Sequence, residues 1–203
     1  MACKPDRAGP RLLHRLDETV RHLELGRQAA ERLRVDARNR VYSRAAAEVY
    51  GTQKKISALL DRLQPEAPDY PQVLARILLL NACVKRKTNF VLRADECETV
   101  TAQEFYLALD ETARFLELCG VQTSVEQRTD SPMPIADAMA LYDSFSLLAE
   151  HFADTAKNLM VLMNKDALRI VAECPLPQSL PQTPAQIETS VEDGLLYLTL
   201  RTK

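Results

Sequence analysis

The sequence predicts an α+β fold, in which a long helical hairpin is followed by a small α/β sandwich. From residue 12 to residue 63, apolar side chains recur at steps of three, four and seven, which trace one stripe along a helix. After residue 95, helical patterns alternate with short strand-like segments, as in layered α+β domains. Few glycines and an aromatic content of 5% point away from an all-β sandwich. We therefore expect two domains, residues 1–95 and residues 96–203.

The first helix is unusually long for a globular protein. Pro10 suits a first helical turn and Pro65 ends the pattern. A stripe of this length is typical of a coiled coil or a long bundle helix, so we expect a coiled-coil extension at the N-terminus of the hairpin. Gly26 and Gly51 interrupt the stripe and are either hinges or tolerated surface residues.

A second helix is predicted from about residue 71 to residue 94, after a proline-rich turn. Two antiparallel helices joined by a short loop form a hairpin, and two hairpins pair into a four-helix bundle. The sequence therefore predicts a homodimer through residues 12–94. Asn81 lies near the apolar face of this helix, where it either fixes the register of a bundle or forms a local hydrogen bond.

The second domain begins with a capping-box spacing, Thr101 to Glu104, and the helix that follows stops at Gly120. A further helix spans residues 134–152. Turn signals at Asn164 and Gly194 separate antiparallel strand pairs. The predicted strands are 121–127, 158–163, 167–174, 185–191 and 195–201.

The charge is distributed unevenly along the chain. Residues 1–63 carry fourteen Lys/Arg against eight Asp/Glu, and residues 64–203 carry twelve against twenty. A basic helical arm binds nucleic acid, an anionic membrane or an acidic protein. Because no aromatic residue lies among the arginines before Tyr42 and no helix-turn-helix pattern is present, we do not expect DNA as the partner.

Neither a membrane segment nor a metal site is predicted. The longest apolar run, residues 77–84, is too short to span a bilayer, and the N-terminus lacks the apolar stretch of a signal peptide. We therefore expect a cytoplasmic protein. The five cysteines are scattered without a C-x-x-C pair, which argues against a disulfide framework or a zinc site.

The helix at 134–152 carries the motif with most information. Its spacing Asp143-x-x-x-Leu147-x-x-Glu150-His151 resembles the ATP-binding helix of histidine kinases, Glu-x-x-x-Asn-x-x-Lys-His. Leu147 stands where that family has the Asn that holds Mg²⁺, and Glu150 stands where it has Lys. The resemblance leaves Asp143 and His151 as remnants of the ATP helix.

Other stretches extend the resemblance over roughly residues 35–203. Residues 38–44 look like an arginine-flanked phosphoacceptor segment, with Tyr42 in place of His. Residues 82–90 look like a basic second hairpin helix, and residues 113–121 look like the entry into the ATPase domain. In this order the chain resembles a bacterial two-component sensor histidine kinase core, in which a dimerisation and phosphotransfer hairpin precedes a gyrase/kinase-type ATPase domain.

The departures from the family concern catalysis. Residues 175–178 read Pro-Leu-Pro-Gln where the family has Asp-x-Gly-x-Gly, and no glycine lies between Gly120 and Gly194. Glycine loops let backbone N–H groups reach phosphates, so the resemblance implies a domain without nucleotide-binding boxes. We expect neither ATP nor Mg²⁺ as a cofactor.

Candidate site residues follow from the same comparison. His22, in His22-Leu-Glu-Leu-Gly26, is a phosphoacceptor candidate, although Leu23 replaces the acid that follows the His in one kinase subfamily. No other catalytic residue is identified. The candidates for partner binding are the basic side chains of Arg38, Arg40, Arg44, Lys85, Arg86 and Lys87. A run of charges such as residues 85–87 is also typical of a solvated helix face.

Three functions are compatible with these observations. The first is a catalytically inactive signal-transduction protein that docks a histidine kinase or a response regulator. The second is an enzyme, either a His-dependent phosphotransferase that requires His22 or His14, or an atypical sensor histidine kinase. The third is a basic helical protein associated with nucleic acid. We favour the first, because the positions that perform nucleotide chemistry in the family are replaced here.

Overall fold

The computed structural model describes residues 8–175 and 179–202, with side chains from residue 21 onward. Helix α1 spans Ala8–Arg62 and helix α2 spans Tyr70–Arg93, which confirms the predicted hairpin helices. Pro71 lies in the first turn of α2, where its missing N–H costs no intrahelical bond. The chain divides into two compact units between Ser43 and Arg44.

In the first unit, no other described part of the chain packs against α1. Every side chain from 21 to 40 is exposed, including Leu23 and Leu33, which are 68% and 67% exposed. The apolar stripe of the sequence is therefore present on this stretch of helix without a packing partner in the described part of the chain.

The second unit contains a five-stranded sheet with the order β2-β4-β5-β7-β6. Strands β2 and β4 are parallel, and the other neighbours are antiparallel. A separate two-stranded pair joins β1 to β3. The strands are β1 Thr99–Val100, β2 Gln122–Gln127, β3 Met133–Pro134, β4 Asn158–Met163, β5 Leu168–Glu173, β6 Gln186–Glu192 and β7 Leu195–Arg201.

Helices α3 (Ala102–Leu118) and α4 (Ile135–Phe152) complete the sandwich. Alternate residues of β5 and β7 are buried, as expected for a sheet with one face on the core. Helix α2 belongs to the same core, because Phe90 packs 5.4 Å from the ring centroid of Tyr142 and 6.1 Å from that of Phe105. One apolar core thus joins α2 to the helices of the sandwich.

Local signals in the sequence form as predicted. The Thr101 side chain accepts from the backbone N–H of Glu104, and the Glu104 carboxylate accepts from the backbone N–H of Thr101. Between β6 and β7, Asp193 and Gly194 both have positive φ angles, 50° and 79°, as a tight hairpin turn requires. The predicted fold class, an α+β chain with a helical hairpin before a sandwich, is confirmed.

Candidate functional site

The face of α4 that carries the kinase-like spacing lies against α1 and α2. Lys87 of α2 forms an ion pair with Asp143 (Nζ to Oδ2, 2.9 Å) and approaches Glu48 of α1 (Nζ to Oε2, 3.4 Å). The Asp143 side chain is 19% exposed and that of Lys87 is 22% exposed. A single lysine therefore connects three helices in a setting that is largely removed from water.

The second motif position is paired in the same way. Lys55 of α1 donates two hydrogen bonds to the Glu150 carboxylate, at 2.7 and 2.8 Å. Just beyond the end of α4, Arg76 of α2 donates to Asp154 at 3.1 Å. We call the pairs Lys87–Asp143 and Lys55–Glu150 the α4 ion pairs. They hold the centre and the C-terminal end of this helix against the hairpin.

Burial shifts the pKa of Asp143. Removal of the carboxylate from water raises its pKa above the ordinary value, although the hydrogen bond and positive charge of Lys87 act in the opposite direction. A partly desolvated carboxylate needs a cation to remain charged. Asp143 therefore depends on Lys87 to remain charged.

The space beside Leu147 is small. Leu147 lines a cavity of about 130 Å³ together with Asp143, Ser146, Lys87 and Pro184. Ligand pockets have volumes of about 300–1,000 Å³, so this cavity accommodates a few waters rather than a nucleotide.

The segment before β6 also contacts α4. The Ser144 hydroxyl accepts a hydrogen bond from the backbone N–H of Ala185 at 2.9 Å and donates to the carbonyl of Ala140 at 2.7 Å. Ala185 is buried, and Leu180 packs against the core. Ala185 is therefore attached to α4, and Leu180 attaches the preceding chain to the core.

On α4, the residues differ from those of the family at the positions that the resemblance assigns to Mg²⁺-ATP. Mg²⁺ requires oxygen ligands, and Leu147 supplies none at the position that the resemblance assigns to the metal-holding Asn. Glu150 is an anion at a position where the family has a cation, and it is already paired with Lys55. Among the residues described, no group of three His, Cys, Asp or Glu side chains is placed to hold a metal ion.

The basic residues of α2 also contact the sandwich. Lys85 donates to Glu111 of α3 at 2.6 Å, and Arg86 hydrogen-bonds to the same carboxylate. Burial raises the pKa of Glu111, but the two cationic donors outweigh it and hold the pKa below its ordinary value. All three basic residues predicted for partner binding on α2 are thus paired within the chain.

A buried polar cluster lies behind these pairs. The hydroxyl groups of Thr112 and Tyr142 are 2.8 Å apart, and both residues are fully buried. Burial raises the pKa of the nearby Cys83 thiol to about 12, which keeps it protonated at neutral pH and therefore a poor nucleophile. Cys83 is therefore a packing residue of the core.

The other predicted site residues lie on α1 or at the end of α4. His22, Arg38, Arg40 and Tyr42 are exposed on the first unit. In the second unit, Arg44 is exposed, and His151 is half-buried with its ring 5.3 Å from that of Phe152. Asn81 donates to the carbonyl of Ile77 at 3.0 Å, which is the local hydrogen bond of the two alternatives above.

Sequence reasoning missed Lys55 and Arg76 as partners of α4. Their acidic partners are 95 and 78 residues away in the chain. The signal available was a charge reversal, since Glu150 replaces a Lys in the resemblance and therefore demands a cation.

Comparisons with known proteins find similar structures but no sequence relative. No family model and no curated protein matches the chain. Among solved structures, it is similar to the histidine kinase domain of a blue-light-activated kinase from Erythrobacter litoralis, with a TM-score of 0.44 and 9% identity, covering 75% of this chain and 95% of the other. For the Acinetobacter baumannii histidine kinase AdeS, the values are 0.41, 11%, 77% and 96%.

A third similar structure is the histidine kinase ThkA in complex with the response regulator TrrA, with a TM-score of 0.34 and 13% identity, covering 84% of this chain and 63% of the other. At such identities and TM-scores the similarity concerns the fold alone, and no activity follows from it.

None of the helices within residues 8–175 and 179–202 has the length and hydropathy required to cross a membrane.

Proposed function

We propose that this chain is a catalytically inactive signalling protein with the architecture of a histidine kinase core. It acts in the cytoplasm as a homodimer that docks a histidine kinase or a response regulator. The observation that carries the proposal is the pair of α4 ion pairs, because Asp143 and Glu150, two positions of the kinase-like spacing, are used for contacts within the chain.

The energetics favour an occupied, structural role for these positions. Freeing Asp143 from Lys87 leaves an uncompensated charge in a partly desolvated setting, which costs more than breaking a pair on the surface. A nucleotide would have to displace Lys87 from Asp143 and would still find Leu147 where an oxygen ligand is needed. Holding α4 against the hairpin is therefore the role that these side chains support.

The docking surface proposed is the exposed part of α1. Between residues 21 and 44 there are seven arginines and three acidic residues. Arg38, Arg40 and Arg44 are exposed, whereas Lys85, Arg86 and Lys87 are paired internally. Such a helix attracts an acidic protein surface and speeds association by electrostatic steering.

A nucleotide titration tests the inactive assignment. We expect no saturable binding of ATP by isothermal calorimetry, with or without Mg²⁺, and no label on the protein after incubation with labelled ATP. The double variant Lys55→Met/Lys87→Met, which releases Glu150 and Asp143, is expected to remain unable to bind. Mg²⁺-dependent binding or autophosphorylation of the unmodified chain would overturn the proposal.

The docking role is tested by charge reversal. Arg38→Glu/Arg40→Glu is expected to weaken binding to an acidic response regulator at least tenfold, in a manner that fades as salt screens the charges. Arg114→Glu, an exposed arginine on α3, is the control and is expected to leave binding unchanged. Equal loss with both variants would remove the assigned surface.

The exposure of His22 keeps a phosphotransferase as the second candidate, because a phosphoacceptor must be reached by its partner. A phosphorylated response regulator incubated with the chain would then transfer phosphate, and His22→Ala would abolish the transfer. Transfer that persists unchanged in His22→Ala would exclude His22 as the acceptor.

A further inference from the structure

The exposed stretch of α1 arranges its apolar side chains in a row. Leu23, Ala30 and Ala37 follow one another at intervals of seven residues, which is almost two helical turns, and all three are exposed. Leu33 lies beside the row and is 67% exposed. At Gly26, on the same side of the helix, an added Cβ atom would meet no described side chain within 4 Å. We call these five residues the α1 seam, because a row with this spacing is the contact surface of a coiled coil.

Arginines border the α1 seam. Arg27 and Arg34 each come four residues after a member of the row, so they flank it on one side. Arg40 comes three residues after Ala37 and stands in the line of the seam. No described side chain forms an ion pair with these three arginines. The seam therefore offers a partner an apolar surface together with cations that lack an acid.

A second copy of the chain supplies no acid to these arginines. If two copies of the seam paired in parallel, Arg27 would face His22 of the second copy and Arg34 would face Ala29. If they paired antiparallel, the row of Arg27 and Arg34 would face the same row, and like charges at such contacts are destabilising. The charges along the seam therefore favour a different, acidic partner.

The shape of the α1 seam favours a helix over a lipid surface. Helices that lie on membranes bury bulky side chains such as Trp, Phe and Leu, whereas Gly26, Ala30 and Ala37 present little apolar bulk. Small residues leave holes along a helix, and the larger apolar side chains of a facing helix fill such holes as knobs. The partner must therefore bring most of the apolar volume.

We propose that the α1 seam binds an amphipathic helix of another protein, whose apolar stripe is flanked by Glu or Asp. The inference rests on the docking role proposed above and names the chemistry of the partner. The bulky stripe of that helix covers Leu23 and Leu33 and fills the space beside the small residues. Its acidic flanks pair with Arg27 and Arg34, and a further acid opposite Arg40 fixes the register, as polar seam positions do.

The probe for the test is a labelled four-heptad peptide with Ile and Leu along its apolar stripe and Glu on both flanks. The comparison peptide is identical except that Lys replaces each Glu, so both peptides repel their own copies equally. Fluorescence anisotropy with the full chain is expected to show saturable binding of the Glu peptide, at least tenfold tighter than that of the Lys peptide. The affinity is expected to fall as salt screens the charges.

Two pairs of matched variants locate the contact. Leu23 and Leu25 are 68% and 62% exposed and lie on opposite faces of the helix, because two residues turn it by about 200°. Leu23→Ser is expected to weaken the Glu peptide at least tenfold, since it removes apolar contact area, and Leu25→Ser to leave it unchanged. Arg34→Gln is expected to weaken it about threefold, as one exposed ion pair does, and Arg32→Gln, on the opposite face, to have no effect.

All four of these side chains are exposed, so the variants remove no buried contact, and matching circular dichroism spectra establish that they fold. The proposal is overturned if the Glu peptide does not bind, if Leu23→Ser and Leu25→Ser behave alike, or if phosphatidylserine vesicles bind the seam more tightly than the peptide.

A response regulator tested with the same variants separates this inference from the docking role. Binding that Arg38→Glu/Arg40→Glu weakens but that Leu23→Ser and Leu25→Ser affect equally would support docking and overturn the helix as its mode. Binding of the Glu peptide at the seam without binding of any regulator or kinase would overturn the proposed docking partners and support the assignment of the seam to an acidic helix.

Discussion

Two stretches of one helix carry the same apolar pattern and have different surroundings. In α1, Leu23 and Leu33 are exposed, whereas Ala45, Val49 and Ile56 are buried. The spacing of threes and fours does not change between them. Periodicity therefore specifies which side of a helix seeks a partner, but it does not specify whether the partner lies in the same chain.

The buried stretch is the one whose partners lie within the second unit. Ile56 packs with Ile77 and Leu80 of α2. The nearby Lys55 forms an ion pair with Glu150 of α4. The exposed stretch carries the excess of arginines. The comparison assigns stability to the buried residues from Ala45 onward, and the exposure of residues 21–40 is what supports the proposed docking role of that stretch.

The largest expected effect comes from a leucine of the packed region. Leu79 of α2 has no exposed surface and lies in the core shared with α3 and α4. Leu79→Ala is expected to lower the free energy of unfolding by about 2–5 kcal/mol, because it removes buried methyl groups and leaves a cavity. Chemical denaturation measures the change, and a loss below about 1 kcal/mol would contradict the shared core.

A smaller effect is expected at the contact between α2 and α3. Glu111→Gln replaces the carboxylate that accepts from Lys85 and Arg86, and is expected to cost about 1–2 kcal/mol at pH 7. Because the pKa of Glu111 is lowered in the folded chain, its stabilisation is complete above its ordinary pKa and is lost as the pH falls through the folded value.

The measurement for Glu111 is a pair of denaturation series at several pH values. The difference in stability between the unmodified chain and Glu111→Gln is expected to be greatest near neutral pH and to shrink below about pH 4, near and below the ordinary pKa of a glutamate. Asp143 does not contribute to this difference in stability, because it is present in both proteins. A difference that is constant with pH would show that the carboxylate charge is not what stabilises the contact.

The smallest effect on folding is expected on the exposed stretch of α1. Leu33→Ala is the matched change to Leu79→Ala, and it should alter the free energy of unfolding of the second unit by no more than about 0.5 kcal/mol. If the exposed stripe forms the proposed homodimer, the same variant weakens self-association in light scattering over a concentration series. A large loss of stability at the lowest concentration would mean that Leu33 is covered within a single chain.

Much of the fold could be predicted because its signals are local. The proline boundaries of the hairpin, the Thr101 capping box and the Gly194 turn each lie within a few residues, and all three form as expected. The two-residue strands β1 and β3 were not predicted, because they are too short to show alternation. Nor could the contribution of Phe90 to the core of the sandwich be predicted, since it depends on contacts between distant segments.

The candidate site could be predicted only in part, for the same reason. Asp143, Leu147 and Glu150 were identified from their spacing, but the spacing does not reveal which side chains contact them. Lys55 and Lys87 become their partners only when the hairpin packs against α4. Residues 85–87 were candidates for partner binding, with a solvated helix face as the alternative, and the structure gives each of them an acidic neighbour within the chain.

The central claim is that Asp143 is held by Lys87 as a structural ion pair. A double-mutant cycle with Lys87→Met, Asp143→Asn and both changes together tests it most directly, because contacting residues show coupling of about 0.5–3 kcal/mol. We predict that Lys87→Met destabilises the unmodified chain by at least about 1 kcal/mol more than it destabilises Asp143→Asn. Additive effects of the two substitutions would contradict the claim.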